Sequence, residues 1–415
     1  MPSAPTASTA ASESSAARPL RLILWSLAGS ARHYNGPGLM FHRMFSRVPP
    51  GRFEITLVHG YAQQEEDGVY ARYVRLPGSG TRVGQLRFTM AGVRWLKRHA
   101  HEYDALLAVT AYEPSIRPAW YADTKLGLPC AIFLANEKYE LFPNWKGWRR
   151  LLGSPEKRQA MVRDVSGVVA MSKNLYQEAK DIGVDPAKLA HIPNTVDTDR
   201  FAPLSADERA KRRAELGIGP GPVVVFCGEL TRRKRPHLLI EALRRSFERK
   251  RPFTALLVGP PLDEEYRREM EAAAASLPEP SRVRFEGFTK TPEVQYKLGD
   301  AFCLPSTNEG MPGALVEAMA SGLPAVVTAF SSAHELLGDG QKGSVVEVPP
   351  GAPESALADG IEEAIAHWTL DPERAAKARK AARDSIIARH GLAQAFDTYE
   401  AFFRRMMRDR RARAK

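Results

Sequence analysis

The feature that most constrains this chain is a repeated alternation of short apolar runs with longer spacers. Almost wholly apolar stretches occur at 20–29, 53–59, 104–110, 129–135 and 166–172, separated by segments long enough for a helix. Strands buried on both faces read as such continuous runs, and parallel strands need crossovers of about a dozen residues or more, which the spacers supply. A second series follows at 222–230, 254–260, 283–288, 301–306, 324–328 and 343–348, with helical spacers such as RPHLLIEALRRSFER and EEYRREMEAAAASL. Between the two series the polar helical stretch ADERAKRRAELGI closes on GPGP, whose glycines and prolines break regular structure. A chain of 415 residues also exceeds what one hydrophobic core usually serves. The expected fold is α/β, two Rossmann-like doubly wound domains facing across a cleft. Residues 1–19 are expected to be a disordered tail, 20–204 the first domain, 205–221 a linker, 222–385 the second domain and 386–415 a C-terminal helix crossing back to the first. Ligands of such sheets sit beyond the carboxyl ends of the strands, so the site is expected between the domains.

Composition narrows the partners. With 44% hydrophobic and 26% charged residues the chain reads as soluble, and no apolar run approaches the roughly eighteen residues of a membrane span. The opening MPSAPTASTAASESSAARP lacks the apolar stretch of a secretory signal, and Cys130, Cys227 and Cys303 show no CxxC spacing, so a reducing cytoplasm is expected. A formal net charge of +11 favours polyanions: nucleic acid, anionic lipid or phosphorylated small molecules. No RNP-type aromatic pattern or zinc-finger spacing supports nucleic acid. The segment FPNWKGWRRLLG has the aromatic-basic composition of a peripheral membrane contact, with the basic C-terminal FFRRMMRDRRARAK as a second one, but a single short helix of this kind binds membrane only marginally and reads rather as an interdomain or acceptor-loop packing helix.

One segment carries the chemistry. In AFCLPSTNEGMPGALVEAMASGLPAVVT an apolar strand ends at Pro305, a polar loop carries Glu309 and a helix starts near Pro312. Proline in the first turn and Gly313 leave backbone N–H groups uncovered, so the helix start can receive a diphosphate through those donors and its dipole. Glu317, four residues after Gly313, shares its face about 6 Å further along the axis, where a carboxylate can accept from both hydroxyls of a ribose. Glu309, in the loop, is placed for hydroxyls of a transferring sugar.

This segment resembles the E-x7-E motif of family 4 retaining glycosyltransferases, with Glu309 and Glu317 as the two acids. SGVVAMSKNLYQEAKDIGVDPAKLAHIPNTVDTDRF resembles the family's pre-linker segment and CGELTRRKRPHLLIEAL its phosphate-binding strand and loop, so the likeness spans roughly residues 20 to 343. The resemblance implies a GT-B fold and hexosyl transfer, with retention, from a nucleoside-diphosphate sugar to a hydroxyl acceptor: a glycan, a glycolipid or other lipid-linked glycan, or a small metabolite. It implies Glu309 and Lys234 as the catalytic pair, Lys234 neutralising the leaving diphosphate. Donor contacts are expected from Gly36, Gly38, Arg233, Arg235, Gly310, Met311, Gly313, Ala314, Leu315 and Glu317. A fixed cation plus a helix start stabilises the leaving charge unaided, so no cofactor or metal is expected.

Three positions depart from the family pattern. Glu229 stands where many relatives carry a phosphate-binding arginine; Arg232, Arg233 or Arg235 supplies the charge, or Glu229 turns away into a salt bridge with them. In FLANEKYE, Asn136 and Glu137 replace a histidine that faces the acceptor, and become the acceptor-binding candidates. Pro37 in YNGPG removes one amide donor from the first glycine loop. These departures keep two other readings open, a nucleotide-sugar epimerase on the same fold and a catalytically silent binding subunit.

Overall fold

The structure is a computed structural model that describes residues 18–29, 36–62, 64, 66–142, 154–338, 340–349 and 351–413. The expected tail up to residue 17, the glycine-loop residues 30–35 and the aromatic-basic segment from 143 to 153 lie outside the described residues.

In the first domain, strands β1 (Leu20–Trp25), β2 (Phe53–His59), β3 (Arg72–Arg75), β4 (Ala105–Val109), β5 (Cys130–Leu134), β6 (Gly167–Ala170) and β7 (Leu189–His191) form one parallel sheet. Its order is β3-β2-β1-β4-β5-β6-β7. Helices α1 (Gly36–Phe45), α2 (Arg82–His99), α3 (Glu113–Leu126), α4 (Pro155–Asp164) and α5 (Lys173–Asp181) make the crossovers. Every residue of β4, β5 and β6 is buried, which is why these strands read as unbroken apolar runs. The edge strand β3, RYVR, is half exposed, and β7 has only the residues LAH, so neither shows in the sequence as an apolar run.

Helix α6 (Ala206–Glu215) occupies most of the expected linker. Ser205 and Glu208 close a capping box at its start, and Arg213 holds it to the second domain through Asp300 at 2.7 Å. Irregular chain is thus confined to 216–222. Strands β8 (Val223–Cys227), β9 (Thr254–Val258), β10 (Val283–Gly287), β11 (Ala301–Leu304), β12 (Ala325–Thr328) and β13 (Gly343–Val346) form the second parallel sheet, in the order β10-β9-β8-β11-β12-β13. It is covered by α7 (His237–Glu248), α8 (Glu264–Ala275), α9 (Glu293–Leu298), α10 (Gly313–Ala320), α11 (Ala333–Leu337) and α12 (Glu354–Thr369).

Two final helices, α13 (Pro372–His390) and α14 (Leu392–Arg413), divide at Gly391, not at the expected residue 386. Helix α13 packs on α10 and α12, while α14 returns to the first domain. There Arg52 binds Asp397 at 2.8 Å and Glu400 at 2.9 Å, and Arg410 pairs with Asp123. Aromatic contacts join Phe41 to Tyr399 and Phe53 to Phe396, and any side chain at Gly167 would lie 2.7 Å from the Phe402 ring. The last helix in the sequence therefore completes the core of the first domain. Phe402→Ala is expected to lower stability by about 3–5 kcal/mol, the usual range for a buried phenylalanine. Chemical denaturation with an unchanged m-value checks this.

Candidate active site

Each sheet reverses its strand order once, between β1 and β4 in the first domain and between β8 and β11 in the second. Ligands of open α/β sheets bind outside the carboxyl ends of strands at such points.

At the second reversal, the loop after β8 and the loop after β11 are stitched together through main-chain atoms. Thr307 N–H donates to the Arg233 carbonyl at 2.9 Å, Arg233 Nη1 to the Asn308 carbonyl at 2.7 Å, and Arg235 Nε to the Pro305 carbonyl at 2.7 Å. The stitching brings Glu309 against Lys234. Lys234 Nζ at 3.1 Å, Arg233 Nη1 at 3.0 Å and Ser306 Oγ at 3.0 Å all donate to Glu309 Oε1. Burial alone raises the Glu309 carboxyl; the charges of Lys234 and Arg233, with the bonds from Lys234 and Ser306, outweigh it and hold the group below its ordinary range. Beside this cluster α10 begins at Gly313. The Pro312 carbonyl takes the amides of Leu315 and Val316, whereas those of Gly313 and Ala314 have no partner among the described residues.

Glu317, further along α10, faces the other domain. Arg43 of α1 pairs with its Oε1, and the Tyr296 hydroxyl donates to Oε2 at 3.2 Å. The charge of Glu317 in turn raises the Arg43 guanidinium above its usual value, against the opposing effect of burial. At Gly310 the domains approach closely, since a side chain there would come within 2.4 Å of the Ala135 carbonyl just after β5. Next to it, Asn194 Nδ2 donates to the Met311 carbonyl at 3.2 Å. Glu335 of α11 accepts from Lys173 N–H at the start of α5 at 2.9 Å and pairs with His191 at 3.2 Å.

At the first reversal lies a cavity of about 740 Å³, with Ser26 and Gly36 on the β1 side and Thr110, Tyr112, Asn136 and Arg158 across from them. Thr110 has φ 74°, a left-handed conformation that costs a β-branched residue about 1–3 kcal/mol. The floor beneath it is tied by Glu140, fully buried, whose carboxylate accepts from the amides of Ala111 (2.7 Å), Ala135 (3.1 Å) and Asn136 (2.9 Å). Burial pushes the Glu140 carboxyl up to about 7 against these bonds.

Of the residues expected at the donor site, Lys234, Arg233, Glu309, Gly313 and Ala314 come together. Arg235 does not join them, because its guanidinium is committed to the carbonyls of Pro305 and Ser306 and lies near Glu354. Leu315 is a core residue with its amide satisfied, and Gly310 and Met311 serve the contact between domains. Gly38 is buried inside α1, which leaves Gly36 at the cavity. Glu137 is turned away from the cavity and accepts from Ser172 Oγ at 2.9 Å, whereas Asn136 stays in the wall. Among the described residues Glu229 pairs with no cation: Arg232 is taken by Glu269 and Arg235 by Glu354, so Arg233 supplies the additional charge at the cluster. Arg43, Tyr296, Asn194 and Glu140 were not expected. Arg43 sits in LMFHRMF, where a basic residue near a helix end is commonplace, and Glu140 is one acid among several in NEKYE.

The family described as glycosyl transferases group 1 matches residues 208–385, and the glycosyl transferase 4-like domain matches residues 24–195. The chain belongs to this family of two-domain, GT-B glycosyltransferases. Among curated relatives, a GDP-mannose-dependent alpha-(1-6)-phosphatidylinositol monomannoside mannosyltransferase of Mycolicibacterium smegmatis is 32% identical over 245 residues, 55% of this chain and 60% of the relative. A 2-deoxystreptamine glucosyltransferase of Streptomyces kanamyceticus is 30% identical over 167 residues, 39% of this chain and 42% of the relative. The matched region thus spans about half the length of these relatives. Among solved structures, Anabaena HepE in complex with UDP superimposes with a TM-score of 0.74 at 20% identity, covering 92% of this chain and 98% of that one, a likeness of fold.

The depressed Glu309 carboxyl gives a test of the cluster. A group whose folded value lies below its ordinary 4.5 contributes stability that is complete above that pH and is lost as pH falls through the folded value. Glu309→Gln is therefore expected to be less stable than the parent at neutral pH, and the gap should close as pH is lowered below the ordinary value. Urea unfolding at stepped pH measures it.

Proposed function

We propose that this chain transfers a hexosyl group from a nucleoside-diphosphate sugar to a hydroxyl acceptor, with retention and without a metal ion. The observation that carries the proposal is the meeting of Lys234, Glu309 and the open start of α10 at a sheet reversal. The diphosphate takes the Lys234 ammonium together with the amides of Gly313 and Ala314, and Glu309 turns to hydroxyls of the transferring sugar. As the bond from C1 to the diphosphate oxygen breaks, charge gathers on that oxygen beside a fixed cation and a helix start, which stabilise it without reorganising. The acceptor hydroxyl enters from the first-domain cavity, with Asn136 in the wall; its oxygen bonds C1 on the face that the diphosphate leaves, and its proton passes to the departing diphosphate oxygen. A chamber for an acceptor favours transfer over epimerisation, which needs none. The relatives named above act on a phosphatidylinositol mannoside and on 2-deoxystreptamine, and Gln85, Thr110, Glu113 and Asn136 among the cavity's lining residues suit the hydroxyls of such an acceptor.

Glu317 is assigned to the donor ribose, whose hydroxyls then exchange with Arg43. A thermal-shift panel of UDP-, GDP- and ADP-sugars identifies the donor, because a ligand that binds only the folded state raises the melting temperature. Lys234→Ala is expected to reduce kcat/KM by about 10²–10³-fold, as does losing a preorganised charge stabiliser, with chelators changing nothing and NMR of the product showing the donor's anomeric configuration. A panel in which no nucleotide sugar raises the melting temperature would overturn the proposal. Arg43→Met should bind the matching nucleoside diphosphate more tightly while the free protein melts lower, since one competitor is gone and one buried carboxylate is left unpaired. Unchanged nucleotide affinity removes Arg43 from the ribose seat.

A further inference from the structure

Glu140 is fully buried beneath the first-domain cavity, and the transfer chemistry makes no direct use of it. Its carboxylate faces donors only. Oε2 takes the Ala111 amide after β4, and Oε1 takes the amides of Ala135 and Asn136 after β5 together with Asn136 Nδ2 at 2.8 Å. An ionised carboxylate can only accept, so the Asn136 side chain must turn its nitrogen towards Glu140. Its oxygen is left over. Among the described residues no group donates to Asn136 Oδ1, and Asn136 lines the cavity. The wall thus offers an oxygen that accepts a hydrogen bond and gives none, which suits a hydroxyl and repels a phosphate or a carboxylate.

We propose that Glu140 is a positioning residue whose protonation sets the polarity of the Asn136 amide, and through it a seat for a second hydroxyl of the acceptor substrate. The seat rests on the transferase reading; the amide switch does not. A second hydroxyl is meant because the attacking one gives its proton to the departing oxygen. Burial brings the Glu140 carboxyl to about 7, so both of its states are reached near neutrality. A proton on that carboxyl finds only N–H groups opposite it, and half a turn of the Asn136 amide supplies Oδ1 as its partner. Nδ2 then faces the cavity, and the seat becomes a donor. Around this pair, Arg158 of α4 donates to the Glu140 carbonyl at 2.9 Å, and its charge favours the carboxylate. Glu113 at the start of α3, 3.6 Å from Arg158, offsets that charge. Tyr112, pushed up to about 12 chiefly by burial, stays neutral throughout.

Solvent exchange of the Asn136 side-chain amide, assigned by its absence from Asn136→Ala and followed by NMR across neutral pH, reads the switch in the full chain without turnover. Its hydrogens are expected to be protected above about 7 and to exchange quickly below, the reverse of the trend for a free amide, and this step should vanish in Glu140→Gln. Turnover of the nucleotide sugar that raises the melting temperature, onto the neutral polyols myo-inositol and methyl α-mannoside, reads the seat. In the parent the polyol KM should rise about tenfold as pH falls through about 7, the usual worth of one hydrogen bond, while the KM for nucleotide sugar stays constant. Asn136→Ala leaves the three backbone bonds to Glu140 in place and should hold the raised polyol KM at every pH, which keeps the test decisive if Glu140→Gln fails to fold. Amide exchange without a step near neutrality, or a step that survives Glu140→Gln, would overturn the inference. With the step present, a polyol KM that is flat in the parent, or transfer to neither polyol, strikes the hydroxyl seat. A normal step in a protein that binds no nucleotide sugar faults the transferase reading and leaves the switch standing.

Discussion

Two carboxylates eight residues apart are each neutralised by a cation, and the cations come from opposite sides of the cleft: Lys234 and Arg233 from the same domain hold Glu309, and Arg43 from the other domain holds Glu317. Removing a carboxylate from water costs several kcal/mol unless a partner compensates it, so neither glutamate can be sheltered here without its cation. Each pair satisfies the charge in the free protein, and each can be exchanged for a ligand group of the same character. Under the proposed function, phosphate oxygens replace a carboxylate at Lys234, and ribose hydroxyls replace a guanidinium at Glu317. The proposed donor would thus meet a cleft whose own buried charges stay paired until it arrives.

The rest of the architecture holds these pairs in place. Glu309 is aimed by three bonds between the loops after β8 and β11, one between main-chain atoms and two from arginine side chains to main-chain carbonyls, not by its own rotamer alone. The pairing of Arg43 with Glu317 depends on how the domains sit, and that is set by the approach at Gly310, by the Asn194–Met311 contact and by Glu335 at the start of α5. Helix α14 then joins the ends of the chain, since the last residues of the second domain lead directly into the core of the first.

Most of the fold was legible in the sequence because it rests on burial. Strands covered on both faces must be apolar throughout, and the runs that become β4, β5, β6, β9, β11 and β12 announce themselves. Strands β3 and β7 were illegible because a short edge strand needs no apolar run, and α6 was read as linker because its outer face is almost wholly polar. The strand, loop and helix that carry Glu309 and Gly313 were legible from a local pattern, as was the basic loop of Lys234 that meets them. Partners distant in sequence were not: Arg43 meets Glu317 from 274 positions away, and nothing near Arg43 distinguishes it from other basic residues of a helix end. The same limit hid the partners of Arg235 and Glu137, whose neighbours in the chain suit them to a ligand but whose neighbours in space, Pro305 and Ser172, engage them.

The most direct measurement is a crystal structure with the nucleoside diphosphate that gives the largest thermal shift. The account predicts phosphate oxygens on Lys234 Nζ and on the amides of Gly313 and Ala314, with the ribose hydroxyls on Glu317 and Arg43 displaced from it. A nucleotide bound with its phosphates away from the start of α10, or with the Arg43–Glu317 pair intact and the ribose elsewhere, would contradict it.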